Sequence, residues 1–493
     1  MLTTTIALPL VTALFILTLP AARPVTIRWT ALGGAGLTLM AALVLVAGYV
    51  PGGPLLQWRT TVAWIPSIGA AYDIAVDGLG LALVVLTAVL LCAVMLYVLR
   101  DHDRPKAHAA LFLVLATGLL GVWSAQDLLL FYLFFEISLV PMYFIVGGWG
   151  HERRHYAAMK FFLYTRAGSL AMLLSFLTLY LSTEPRTFSL PAIAAAHPLA
   201  GAPAVADLVF LGLLIGFGVK LPTFPLHNWL PDAHVEAPTE GSVILAGLQL
   251  KLGGYGLLRV ALPSVPDAAQ RYAWLLVALG LISLAWGVLA ALGQRDLKRL
   301  IAYTSVNHMG YVTLAAGLWG LAGSEALQTL AITGAGYQIV SHGLLTGGMF
   351  FLAGMLQDQT GTREMSRLGG LATRLPLLAA VLAALAFGSL GLPGFSGFIA
   401  EFQVIGAAVG VSLWVAVGVV LALIVTTGLY LSIVVTMVLA PASGSTHAVA
   451  EPPRRKLAVA GALLVLSMLL GLAPGPLVSM LGGAARALLS HGG

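Results

Sequence analysis

The chain has 493 residues, 59% hydrophobic and only 9% charged, with mean hydropathy +0.96 and a formal net charge of +6. Soluble domains carry about a quarter charged residues, so this composition excludes a soluble enzyme and describes a polytopic membrane protein. The single cysteine, Cys92, excludes a disulfide framework, a cysteine-ligated iron–sulfur cluster and a CxxC redox site.

The apolar runs are continuous and about 20 residues long, which predicts helices; barrel strands would alternate. In chain order fourteen spans are expected, at 2–20, 30–50, 78–99, 109–124, 127–148, 157–181, 205–222, 242–260, 272–293, 299–320, 325–356, 375–402, 409–440 and 457–482. The first run lacks a basic leader and reads as an uncleaved helix. The stretches between spans, the longest being 51–77, 182–204, 222–241 and 441–456, are too short for an independent core.

Basic residues give the orientation. The loops after spans 1, 3, 5, 9, 11 and 13 hold Arg23, Arg28, Arg100, Arg104, Lys106, Arg153, Arg154, Arg295, Lys298, Arg299, Arg363, Arg367, Arg374, Arg454, Arg455 and Lys456. The alternate loops and the tail hold only Arg59, Arg186, Arg271 and Arg486. The positive-inside rule then puts odd-numbered loops in the cytoplasm and both termini outside. A miscount by one span would mix the two sets. The positive charge is therefore topological, and nucleic acid finds no basic domain to bind.

Several ionisable residues lie too deep for the interface. Glu136 and Lys251 each sit nine residues into their spans, about 14 Å deep, and His308 matches them. Lys220 is thirteen residues past Asp207, about 20 Å deep. His342 is central in a long span, and Glu401 lies eight beyond Pro393. Each midplane Lys or Glu costs roughly 2.5–3.5 kcal/mol on insertion scales. Static ion pairs locking helices would account for one such residue, but six exceed what helix register needs, and isolated buried pairs stabilise weakly.

Two stretches break helical continuity beside these groups. "GVKLPTFPLHNWLP" puts Lys220 before Pro222 and Pro225, and "GSLGLPGFSGFIAEF" puts Pro393, Gly394 and Gly397 before Glu401. Proline removes a helix hydrogen bond and clashes with the preceding turn. Broken helices five spans apart, entering from opposite faces, are the pattern of inverted repeats. The expected class is an all-α membrane protein with five-helix repeats over spans 4–8 and 9–13 and breaks in spans 7 and 12. The expected division is 1–108, 109–260, 272–440 and 457–493. The chemistry suits protons: desolvation loosens a lysine's proton, a nearby carboxylate holds it, and imidazoles relay near neutral pH.

Four stretches make the chain resemble the antiporter-like subunits of respiratory complex I. They are "FYLFFEISLVPMYFIVGGWG" (131–150), "GVKLPTFPLHNWLPDAHVEAPTEGSVILAGLQLKLGGYGLLR" (218–259), "RDLKRLIAYTSVNHMGY" (295–311) and "GLPGFSGFIAEF" (391–402). The likeness runs through most of the chain from about 110 to 405. It implies fourteen helices, two inverted repeats, and broken helices 7 and 12. By position, Glu136 resembles the helix-5 carboxylate that pairs with the helix-7 lysine, here Lys220. Lys251 resembles the central lysine, His308 and His342 the relay groups, and Glu401 the terminal carboxylate of helix 12. Sister chains and Mrp-type antiporters typically carry lysine at that last place, so Glu401 points to the chain M branch. Arg166, in "FFLYTRAGS", departs from the family, which is usually uncharged there. A carboxylate partner and a water-filled path are both open to it.

The resemblance implies a proton-translocating subunit that binds no cofactor of its own and draws redox energy from partners, the other membrane-arm subunits, sister antiporter-like chains included. The bacterial cytoplasmic membrane is the expected location. An Mrp-type Na⁺/H⁺ antiporter subunit, or the membrane arm of a hydrogenase or ferredoxin-linked complex, is the alternative. A haem carrier using His308 and His342 has only lone membrane histidines behind it. His227, Asp232, His234, Glu236 and Glu240 cluster after span 7, but their spacing matches no standard metal motif and reads as loop packing.

Overall fold

The structure, a computed structural model, describes residues 1–99, 103–446 and 449–489; Arg100, used above for topology, lies outside them. Among the described residues eleven helices are long and apolar enough to cross a membrane. Three shorter apolar helices, Leu2–Thr18, Pro376–Ser389 and Ser396–Val411, accompany them. Leu297–Leu321 fills the tenth expected stretch with a more polar helix.

The boundaries differ from expectation for identifiable reasons. Span two starts at Pro24 instead of 30, because proline at the first helical position loses no bond that the helix could make. Span eleven, Glu325–Thr360, runs four residues longer than expected and stops at Gly361, whose φ of 68° gives the left-handed cap. The last expected span is two helices. Arg454–Leu472 ends ahead of Pro474, and a separate amphipathic helix, Gly475–Leu489, follows.

The 51–77 stretch is an antiparallel hairpin, not an unstructured loop. Strands β1 (Gln57–Ile65) and β2 (Ala70–Val76) pair from Gln57 opposite Val76 to Ile65 opposite Ala70. The run "RTTVAWI" is β-branched and aromatic, and Gly69 supplies the positive φ at the turn. Asp127, which caps span five (Leu128–Trp149), also accepts from the amide of Ala71, so the hairpin is tied to that span.

Spans eight (Thr239–Ser264) and eleven form the centre, with their most apolar stretches wholly buried. Outer spans expose Leu163, Leu174, Trp274 and Trp414, as lipid-facing helices do. The two central helices meet through small residues: a Cβ on Gly343 would stand 3.0 Å from the Gly247 carbonyl oxygen. That contact brings Lys251, one turn past Gly247, against His342. Two π-helical turns, Leu245–Gln249 and Leu257–Ala261, flank Lys251.

Both expected breaks are present. In span seven, helix Pro203–Lys220 ends at Lys220 and helix Leu230–Glu236 begins ten residues on. The gap is bridged by the Trp229 indole N–H, which donates to the Val219 carbonyl at 2.9 Å. In span twelve, Pro376–Ser389 and Ser396–Val411 are separated by Gly391 and Gly394, at φ 81° and 101°. Ser396 is fixed there by hydroxyl contacts to Ser341 (2.8 Å) and Ser467 (2.7 Å).

Candidate proton-transfer site

Four of the six expected residues are contiguous. Lys251 is fully buried; its Nζ donates to the Ala246 carbonyl at 2.8 Å and lies 2.5 Å from His342 Nδ1. The π-helical turn opens that carbonyl, five residues back, to the amine. The His342 and His308 rings are 5.7 Å apart between centroids. His308 Nδ1 is 3.3 Å from Gln338 Nε2 and 3.7 Å from Glu401 Oε1, and its Nε2 is 3.2 Å from Tyr430 Oη. Glu401 is buried, its Oε2 without a hydrogen-bond partner among the described residues and packed where a side chain on Gly391 would stand. His308, Gln338, His342 and Glu401 line one small cavity.

This set joins spans eight, ten, eleven and twelve, and each contributes through local sequence. Span ten presents His308 and Asn307 on adjoining faces, with Asn307 donating to the Leu284 carbonyl of span nine at 2.7 Å. Span eleven presents Gln338 and His342 one turn apart, hence on one face. Gln338 and Tyr430 went unnoticed in the sequence. The four-residue spacing of Gln338 and His342 was the available signal; Tyr430, in the apolar run Leu413–Leu439, carried none.

The other two residues are arranged differently from expectation. Glu136 makes its ion pair with Arg166, Nη1 to Oε2 at 2.6 Å, and not with Lys220. Arg166 also donates to Tyr132 Oη at 3.2 Å. Lys220 is fully buried, and its Nζ has no hydrogen-bond partner among the described residues. The ammonium instead faces the Phe161 and Phe135 rings, 4.8 and 5.6 Å from their centroids. The physical reason is competition: Arg166, on the neighbouring span six (Arg154–Ser182), brings a guanidinium whose Nη1 reaches both the Glu136 carboxylate and the Tyr132 hydroxyl. Span eight packs directly on the break beside Lys220, because Gly253 has no side chain to strike the Phe217 carbonyl and Leu221 amide.

The acidic and histidine cluster after span seven disperses. Asp232 pairs with Lys160 (2.6 Å) and Arg299 (3.4 Å), and Glu236 accepts from the Arg153 amide at 2.8 Å. His227 takes the Trp286 indole N–H at 3.0 Å, His234 stacks on Phe350, and Glu240 lies 2.9 Å from His108. Beside this loop, burial and the nearby Lys298 and Arg363 push the His151 imidazole down to about 4. A buried ion pair outside the expected set joins Arg259 of span eight to Asp77, the cap of span three (Gly78–Tyr97), at 2.5 Å.

Residues 125–429, more than half of the chain, match the family described as NADH:quinone oxidoreductase/Mrp antiporter, TM. A protein of Rhodobacter capsulatus named NADH-quinone oxidoreductase subunit M is 36% identical over 477 residues, covering 94% of this chain and 90% of that one. NAD(P)H-quinone oxidoreductase chain 4 1 of a Picosynechococcus species is 42% identical over 406 residues, covering 82% and 74%. Among solved structures, a chain of respiratory complex I from Thermus thermophilus superposes with TM-score 0.90 at 30% identity, covering 100% of both chains. The chain belongs to the NADH:quinone oxidoreductase/Mrp antiporter family of membrane proteins.

Proposed function

We propose that the chain is a proton-translocating membrane-arm subunit of NADH:quinone oxidoreductase. Its protons move through Glu136, Lys220, Lys251, His342, His308 and Glu401, and its driving energy comes from redox chemistry in partner subunits. The observation that carries this reading is the buried run Lys251–His342–His308–Glu401, a hydrogen bond at its first link and close approaches at the next two, 5.7 Å between imidazole centroids and 3.7 Å from His308 Nδ1 to Glu401 Oε1. The Lys251 ammonium can hand its proton to His342 Nδ1, and an imidazole that gains a proton on one nitrogen can release one from the other. Neutral His308 can accept from Gln338 at Nδ1. The proton on His342 Nε2, which has no hydrogen-bond partner among the described residues, passes to His308 when the two rings, 5.7 Å apart, close together, and His308 Nδ1 then turns from Gln338 to give a proton to Glu401 Oε1, 3.7 Å away. The carboxylate ends the chain as acceptor. No step in this sequence needs a metal or redox group bound by this chain.

The same reading puts the chain in the bacterial cytoplasmic membrane with both termini on the outer side, and treats 109–260 and 272–440 as the two repeats. Sister antiporter-like chains are its neighbours. The family description also names Mrp antiporters, so sodium exchange is the second reading. Two measurements separate them. Affinity purification of the chain should recover soluble flavin and iron–sulfur subunits, and proton uptake by reconstituted complex should persist without sodium. Purification with only Mrp-type membrane partners, and a sodium-dependent proton signal, would overturn the proposal.

A further inference from the structure

Arg166 stands twelve residues into span six, about 18 Å along the helix, and its side chain is 41% exposed against 18% for its partner Glu136. Only one carboxylate oxygen is engaged. Oε1 of Glu136 is buried without a hydrogen-bond partner among the described residues, and so is Nζ of Lys220. A buried acceptor and a buried donor left without partners each carry a desolvation cost. One Glu136–Lys220 contact would satisfy both. The contact is absent because Arg166 holds the carboxylate from the other side. Lys220 is also the last residue of its half-helix, followed by the non-helical 221–229 segment.

We propose that Arg166 is a positioning residue that clamps the Glu136 carboxylate away from Lys220, so that Glu136 alternates between the guanidinium and the ammonium. This rests on the proton-pump reading above. While Glu136 stays on Arg166, Lys220 is a buried amine against the Phe135 and Phe161 rings, and it gives its proton up. When Glu136 swings to Lys220, the ammonium gains a counter-ion and keeps the proton. Tyr132, whose hydroxyl accepts from Arg166, steadies the clamped state. The titratable and charged side chains on this exchange are Glu136 and Tyr132 on span five, Arg166 on span six and Lys220 on span seven.

The test compares Arg166→Gln, Arg166→Lys and Tyr132→Phe in the whole complex, with proton pumping in sealed membranes normalised to assembled complex on native gels. Arg166→Lys should stay within about twofold of wild type, Arg166→Gln should fall about fivefold or more, and Tyr132→Phe about twofold. A structure of the Arg166→Gln complex should place Lys220 Nζ in contact with Glu136, which loss of packing alone would not produce. Wild-type pumping in Arg166→Gln overturns the clamp, as does a Glu136 that stays off Lys220 without Arg166. Lys220→Ala in the same membranes separates the two readings. If it pumps normally the pump pathway itself fails, whereas a silent Lys220→Ala beside a normal Arg166→Gln sinks only the clamp.

Discussion

Lys220→Met should leave the stability of the fold nearly unchanged while stopping proton transfer. The side chain is wholly buried between Phe135 and Phe161, and its nitrogen makes no hydrogen bond among the described residues. Leaving that group unsatisfied costs about 1–3 kcal/mol, and ring contacts at a desolvated site return about 1–2 kcal/mol. Methionine fills nearly the same volume and keeps contact with both rings, so the swap itself costs under about 1.5 kcal/mol. These terms largely cancel, leaving a net change within about 2.5 kcal/mol of zero in either direction. Thermal unfolding of the solubilised complex reads the first half, and a pH-sensitive dye in sealed vesicles reads the second. A loss of about 3 kcal/mol or more would mean that removing Lys220 breaks a buried ion pair. That would refute the unpaired state, and continued pumping would refute the pathway.

Glu401→Ala should lower pumping by about tenfold or more, whereas Glu401→Lys should retain a measurable part of it, because the end of the chain needs only a titratable group. Equal rates in the two variants would remove Glu401 as the terminal acceptor. Gly391→Ala sets a methyl group against Glu401 Oε2 and forces a left-handed φ on alanine, so it should cost about 1–2 kcal/mol and slow pumping together. Unaltered unfolding and pumping would show that the carboxylate is not confined at that corner.

Much of this site could be seen in the sequence because membranes penalise charge. Glu136, Lys220, Lys251 and Glu401 stand out in runs where nearly every neighbour is apolar, and the prolines and glycines of both breaks mark where helices stop. The hairpin is hard to see in the sequence because its two strands, nine and seven residues long, fall between 20-residue apolar runs. The division of the last expected span turns on the short breaker Pro474, Gly475 and Pro476 inside an otherwise apolar stretch. Partner choice was the harder question. Depth along a helix follows from counting residues, but rotation about the axis does not. Whether Glu136 meets Arg166 or Lys220 depends on how spans five, six and seven turn toward one another. The same ambiguity hid Tyr430, whose hydroxyl gains meaning only when span thirteen lies beside His308.

The run from Lys251 through His342 and His308 to Glu401 crosses between helices instead of following one, and Lys251, His308 and His342 each lie near the middle of their own helix. A unit charge carried across the whole bilayer does about 2.3 kcal/mol of work per 100 mV. A charge passed sideways between groups at equal depth crosses almost none of the voltage and does almost no electrical work. The lateral segment can therefore stay close to thermoneutral at any membrane potential. The load falls on the short legs between mid-depth and each aqueous face, and those legs are where a respiring membrane would push back.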